Sequence, residues 1–337
     1  VNHQPTFRSV SSKLIVAAVA AAALLSAGPA CAQQQVEQRR PASASGTVDV
    51  SVPTGSVRVV AWGRNEVRVT GSVGRGAERL EFSGSNGRTT VAVIFPRGGR
   101  GVRGSDLDVY VPAGSRVSVR SISAEAEVRG VRGAVEVTTV SGGVRVEGHP
   151  ASVDATSQSG DIDVDANTGR VNAGSTSGNV RVDGTVRNEV EARTVSGDIE
   201  VEADAASLRA ETVSGTVRAT AVGGRATVRT VSGDARVEGP RLRGDFQTVT
   251  GSLVLVGALD PRGTSTASAH SGDVELRLRS GATVQAEITT FSGDVETTIS
   301  GARVTRVSRR EQQVSVGSGG PRVELRTFSG SVRIVRD

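Results

Sequence analysis

The stretch Arg193-Thr194-Val195-Ser196-Gly197-Asp198-Ile199-Glu200-Val201 decides the fold, because near copies of it return along most of the chain. Ser-Gly pairs end at Gly142, Gly160, Gly178, Gly197, Gly215, Gly233, Gly272, Gly293 and Gly330, and Thr250-Gly251 takes the same place. From Gly142 these glycines fall 18, 18, 19, 18, 18, 18, 21, 21 and 37 residues apart. A fixed period of this length marks a repeat architecture.

Within each unit the apolar positions alternate with polar ones, the period of a half-buried strand. Val144 and Val146, Ile162 and Val164, Val180 and Val182, Ile199 and Val201 follow the corner. A second pair comes about nine residues later, as Val153 and Ala155, Val171 and Ala173, Val190 and Ala192, Leu208 and Ala210. Two short strands and two turns therefore make one flattened coil. Stacked coils would place equivalent residues about 4.8 Å apart. The predicted fold is all-β, a β-solenoid or β-helix-like array of coils of about 18 residues with two short strands each. An antiparallel sandwich also fits alternation with glycine turns, but hairpin meanders seldom hold one spacing this long.

Composition agrees with a thin core. Gly numbers 42 and aromatic residues make up 2% of the chain, so a narrow stack lined by Val, Ala and Leu is expected. Basic residues number 40 against 35 acidic, a net charge of +5, and Lys13 is the one lysine. Arginine and acids alternate through the repeats, which reads as a solvated strand face and gives no nucleic-acid stripe.

Working outward, residues 1–32 read as a secretory signal peptide: Arg8 and Lys13 form the basic head, Leu14 to Leu25 the apolar run, and Ala30-Cys31-Ala32 the small-residue cleavage site. The apolar run is too short to span a bilayer, and no transmembrane segment is expected after its removal. Val1 fits an alternative bacterial start codon. Cys31 is the one cysteine, so a mature chain starting at Gln33 would hold together without disulfides. Lipidation of Cys31 is the alternative, against which Gly28-Pro29-Ala30 is a poor lipobox. The expected location is export to periplasm, medium or cell surface.

Residues 33–45 read as a flexible leader and 46–115 as an irregular N-terminal β region or cap. Residues 116–251 form the regular array, and 252–337 the expanded repeats and C-terminal end. Trp62 is expected to lid the core's end. The Arg-Gly run of residues 97–104 is expected to be a mobile loop. The 37-residue interval before Gly330 is long enough for two coils, and Phe291, Phe328 and Phe246 suggest a wider or capped core there.

Chemistry-bearing groups are sparse. His149 and His270 have no ligand companions; P-loop, dinucleotide fingerprint and nucleophile elbow are all missing. No catalytic residue, metal site or cofactor is read from the chain. Arg243-Gly244-Asp245 spells an integrin-binding tripeptide at an expected turn. The best polar ladder is Asp161, Asp198, Asp234, Asp273 and Asp294, one after each of five corners. It reads either as turn capping or as a cation- or carbohydrate-binding edge. The ten corner glycines read as structural punctuation, needed where a coil turns and stacks closely.

Val52-Pro53-Thr54-Gly55-Ser56-Val57-Arg58-Val59, followed by Trp62 and the strand from Glu66 to Thr70, together with Thr194-Val195-Ser196-Gly197-Asp198-Ile199, resembles the bacterial putative-adhesin family of β-strand-repeat proteins. The resemblance runs from Gly46 to Asp337. It implies an exported β-solenoid-like domain and supplies no catalytic residues. The expected function is a non-catalytic structural, adhesive or interaction role in the cell envelope, with an envelope protein or surface polysaccharide as partner. A carbohydrate-binding or carbohydrate-active β-helix is the first alternative, and an envelope scaffold or sensor component is the second.

Overall fold

Val144, Ile162, Val180, Ile199, Val217, Ala235, Leu253 and Val274 stand on one another as parallel Cα partners, each one rung above the last. Val137, Ala155, Ala173, Ala192, Ala210, Val228, Phe246 and Ala267 form the facing column. All these side chains are buried. The computed structural model describes residues 34–85, 87–96, 103–221 and 223–337. The signal-peptide reading, Cys31 and most of the Arg-Gly run at 97–104 fall outside them. Residues 33–337 make one compact unit, and the expected regions within it share one continuous core. The chain is a β-solenoid.

Departures from the 18-residue pitch have local causes. The 19-residue interval carries its extra residue as a bulge, where pairing skips between Val186 and Glu189. The Gly251–Gly272 interval gains the turn at Asp260–Gly263, pinned by the Arg262 amide donating to Asp260 Oδ1 at 2.9 Å. In the Gly272–Gly293 interval, the Ala282 amide closes a turn on the Arg279 carbonyl at 3.0 Å.

Both ends depart from sequential stacking. At the N-terminal end the first coil, Thr47–Trp62, lies between the strands Arg88–Ile94 and Ser105–Pro112 on one side and Arg116–Arg129 on the other. At the C-terminal end, the last coil, Arg322–Ser329 with Val332–Arg336, pairs with Ser265–Ser271 and Val274–Leu278 on one side. On its other side it pairs with Val284–Ser292 and Val295–Thr297. The chain thus threads its first and last coils one rung inward. The 37-residue interval corrects the expectation of two coils. It holds one coil plus an antiparallel hairpin, Arg303–Arg306 and Glu311–Val316, laid on Val284–Ser292.

Antiparallel pairing, the runner-up architecture, occurs at the two ends alone among the described strands, as caps. Residues 33–45 were expected to be flexible; instead Gln34–Pro41 pairs antiparallel along Glu66–Val73 from Gln34–Val73 to Pro41–Glu66. Arg40 fastens this strand by donating from Nε to the Phe82 carbonyl at 2.8 Å. A strand held mainly by backbone bonds and charged side chains needs few apolar residues, so its polar composition hides it. Charged side chains and Pro41 on such an outer strand blunt a free sheet edge. Trp62 is only half-buried, its Nε1–H donating to the Glu66 carbonyl and its ring against Tyr110. Among the described residues no helix is long and apolar enough to cross a membrane.

Candidate functional site

The recurring corner is the one feature built the same way rung after rung, and each of its residues has a separate task. The threonine or serine two residues before Ser points inward and is buried. Its hydroxyl donates to the corner glycine carbonyl one rung below: Ser175 to Gly160 at 3.0 Å, Thr194 to Gly178 at 2.9 Å, Thr212 to Gly197 at 3.2 Å, Thr248 to Gly233 at 3.3 Å. In earlier rungs the same hydroxyl also accepts from its own corner amide, as Ser157 Oγ does from Gly160 at 2.8 Å.

The glycines stack directly. A Cβ built on Gly142 would lie 1.9 Å from the Ala124 carbonyl oxygen. On Gly160, Gly178, Gly197, Gly215, Gly233, Gly251 and Gly272 it would lie 2.0–2.3 Å from the oxygen of the glycine below. The ladder continues from Gly272 to Gly330 and then to Gly293, which repeats the threaded order of the last rungs. Gly142, Gly160, Gly178 and Gly197 lack a left-handed φ, so close approach alone requires glycine there; from Gly215 onward a positive φ adds to it.

The aspartates reach the other way, to the rung above. Oδ1 of Asp161 accepts from the Asn179 amide, Asp198 from Thr216, Asp234 from Ser252 and Asp273 from Ser331, each at 2.7 Å. Asn179 fills the slot in its own rung, accepting from the Asp198 amide at 2.9 Å. Asp294 belongs to the last stacked rung and has none above it to cap. The ladder's oxygens are therefore spread one per rung. Among the described residues no three His, Cys, Asp or Glu side chains gather as a metal-ligating group.

The residue between the inward Thr and the Ser bonds adjacent rungs through its backbone and turns its side chain to solvent. Val195, Val213, Val231 and Val249 are 44–47% exposed. His270, Phe328 and Phe291 continue the row in stacked order. Phe291 and Phe328 were expected in a wider core; at 50% and 49% exposure they lie outside it, whereas Phe246 is fully buried. Phe328 is sandwiched between the rings of His270 (5.0 Å, 10°) and Phe291 (4.8 Å, 8°). The Arg310 guanidinium lies 3.8 Å over Phe291. Beside the row runs a trough of about 610 Å³, walled by Arg193, Glu211, Arg229 and Gln247. Its charges pair across rungs, Arg193 Nε with Glu211 at 3.2 Å and Arg229 with Glu211 at 3.4 Å.

This exposed row was missed in the sequence, although alternation carries it: if Thr194 points in with Ala192, then Val195 points out. Arg243-Gly244-Asp245 corrects in the opposite sense. It lies within the strand Ala235–Thr250, with Gly244 packed over Ala226, and is no turn. His149 and His270 are both exposed, on different parts of the array. Asp260 is buried beside Arg262, whose side chain and backbone hydrogen bonds hold its carboxyl well below the usual range.

Three solved structures align along nearly their whole length at low identity. A putative adhesin from Bacteroides fragilis is 9% identical over 91% of this chain and 98% of its own, with a TM-score of 0.33. One from Parabacteroides distasonis is 11% identical over 90% and 97%, with a TM-score of 0.34. A putative cell adhesion protein from Clostridium sporogenes is 7% identical over 90% and 100%, with a TM-score of 0.22. No curated protein matches the chain. The Toastrack DUF4097 model matches residues 42–223 and again 223–335, which together take in nearly all of the stacked coils. The chain belongs to the Toastrack DUF4097 family.

Proposed function

We propose that this protein is an exported, non-catalytic β-solenoid that works in the bacterial envelope through contacts of its long faces, in a structural or adhesive role. The observation that supports this reading is the use made of the corner aspartates. Asp161, Asp198, Asp234 and Asp273 each give Oδ1 to a neighbouring backbone amide, so the most ligand-like ladder in the sequence is engaged in holding rungs together. What the rod offers outward is shape, ion-paired strand faces and an apolar row. Export rests on the signal-peptide pattern of residues 1–32, and the solved structures named as putative adhesins accord with a surface role. The expected partner is an envelope protein or a surface polysaccharide.

Affinity capture from the native envelope, with fractionation of the same cells, tests the reading. The expected result is recovery with the envelope or exported fraction and retention of one stoichiometric partner. Cytoplasmic recovery, or turnover of a glycan by the purified protein, would overturn it.

A further inference from the structure

We propose that the row Val195, Val213, Val231, Val249, His270, Phe328 and Phe291 is the surface by which two copies of this protein pair, the row of each seated in the trough of the other. The proposal rests on the interaction reading above and names the surface and the partner.

The row is not a by-product of folding. Thr194 and Asp198 each give a side-chain bond to a neighbouring rung and Gly197 a close backbone contact, whereas Val195 joins its neighbours through its backbone alone and turns its side chain to solvent. The fold accepts polar groups at the same place, because Gln158 and Thr176 occupy it in two earlier rungs. From Val195 onward the place is apolar or aromatic in seven consecutive stacked rungs. A contiguous exposed apolar surface of this kind marks a contact site.

Pitch selects the occupant. The knobs repeat every rung, about 4.8 Å. An extended peptide laid along the row presents same-face side chains about 6.8 Å apart and falls out of step within two rungs. A helix presents one turn per 5.4 Å and over six steps drifts by about 3.6 Å, most of a rung. A second copy has the same pitch by construction and stays in step along the whole row. Ridge and trough lie side by side on one chain, so a two-fold axis parallel to the solenoid seats each ridge in the other's trough and makes the surface self-complementary.

The chemistry of the row points the same way. Sugar recognition by aromatic residues uses exposed ring faces. Here both faces of Phe328 are covered by His270 and Phe291, and the outer face of Phe291 is covered by Arg310. Neither phenylalanine of the row offers a free ring face to a sugar. The trough wall carries both signs, already paired as Arg193–Glu211 and Arg229–Glu211, so it favours neither a polyanion nor a polycation and does not repel its own kind.

Sedimentation velocity of the full chain over a concentration series is the test, with V213Q/V231Q and, as matched control, I122Q/V140Q at the isolated N-terminal members of the same position. The wild type and the control are expected to dimerise with rising concentration. The dimer of V213Q/V231Q should be at least tenfold weaker, a change of about 1.4 kcal/mol, with its melting temperature unchanged. A wild type that stays monomeric to its solubility limit, or a dimer untouched by V213Q/V231Q, would overturn the proposal. Should V213Q/V231Q melt early, F328E replaces it, at a half-exposed position outside the core. A monomeric wild type that still captures an envelope partner would sink the pairing and leave the interaction reading standing. A ridge-dependent dimer with no such partner would do the reverse.

Discussion

Replacing corner glycines by alanine separates the two reasons a rung needs glycine. On Gly178 the new Cβ would sit 2.2 Å from the Gly160 carbonyl oxygen, with no left-handed φ to relieve. A real Cβ keeps at least 3.0 Å, so the two rungs must part by nearly 1 Å at that corner. The obstacle is first the Gly160 backbone, with Ser175 Oγ at 2.9 Å beside it, and the Thr194–Gly178 hydroxyl bond lies in the same layer. Overpacking of this kind costs about 1–3 kcal/mol, and G178A belongs at the upper end because the nearest obstacle is backbone. On Gly233 the contact is 2.0 Å and φ is +150°, so G233A adds a backbone strain of about 1–3 kcal/mol. Gly281 has a φ of +82° and nothing within 4 Å, so G281A should cost only about 1–2 kcal/mol. Gly174 has neither a left-handed φ nor a neighbour within 4 Å, and G174A should stabilise by about 0.5–1 kcal/mol through the unfolded chain. Thermal and urea melts followed by far-UV circular dichroism would rank them G233A, G178A, G281A, then G174A, from most to least damaging. A G178A melt indistinguishable from that of G174A would refute the close-stacking argument.

Three further outcomes follow from the same geometry. D198A removes a 2.7 Å cap on the Thr216 amide and should lower stability by about 0.5–1.5 kcal/mol, while D294A, with no rung above it, should melt as the wild type. F246A, emptying the largest fully buried side chain between Val228 and Ala267, should cost about 3–5 kcal/mol by chemical denaturation. Asp260 is held below its ordinary value by Arg262, so its contribution is present above the unfolded carboxylate value of about 3.9 and is lost as pH falls further through the folded value. The acid limb of the melting-temperature profile below about pH 4 should therefore flatten in D260N, and an unchanged limb would refute the assignment.

Coil pitch, the two-strand unit and the inward columns were legible because stacking forces identical demands on every rung. Val144, Ile162 and Val180 had to coincide once the period was 18. Rung order at the ends was not legible, since a period says how long a coil is and not which coil lies beside it. The last coil carries the same Thr-Phe-Ser-Gly corner as the coil it slips beneath, Thr327 to Gly330 against Thr290 to Gly293. Gln34–Pro41 was not legible because backbone pairing and the charged side chains of Glu37 and Arg40 hold it, with Val36 as its apolar contact. Phe291 and Phe328 misled by size, whereas alternation from the inward Thr290 and Thr327 would have turned both outward. The aspartate ladder was visible as a pattern, but the amides it caps lie 18 residues away or, for Asp273, at Ser331.

Parallel coils stacked in register, with the last coil threaded inward, can be checked by disulfide trapping in a Cys31→Ser background. Ser268 and Arg326 are Cα partners on adjacent rungs, with outward side chains. Their backbones stand about 4.8 Å apart, within the range a disulfide spans. Ser268 and Thr289 lie two rungs apart with Arg326 between them. S268C/R326C should oxidise to an intramolecular disulfide, and S268C/T289C should stay reduced. A disulfide in S268C/T289C with none in S268C/R326C would show coils stacked in simple chain order and contradict the threaded order.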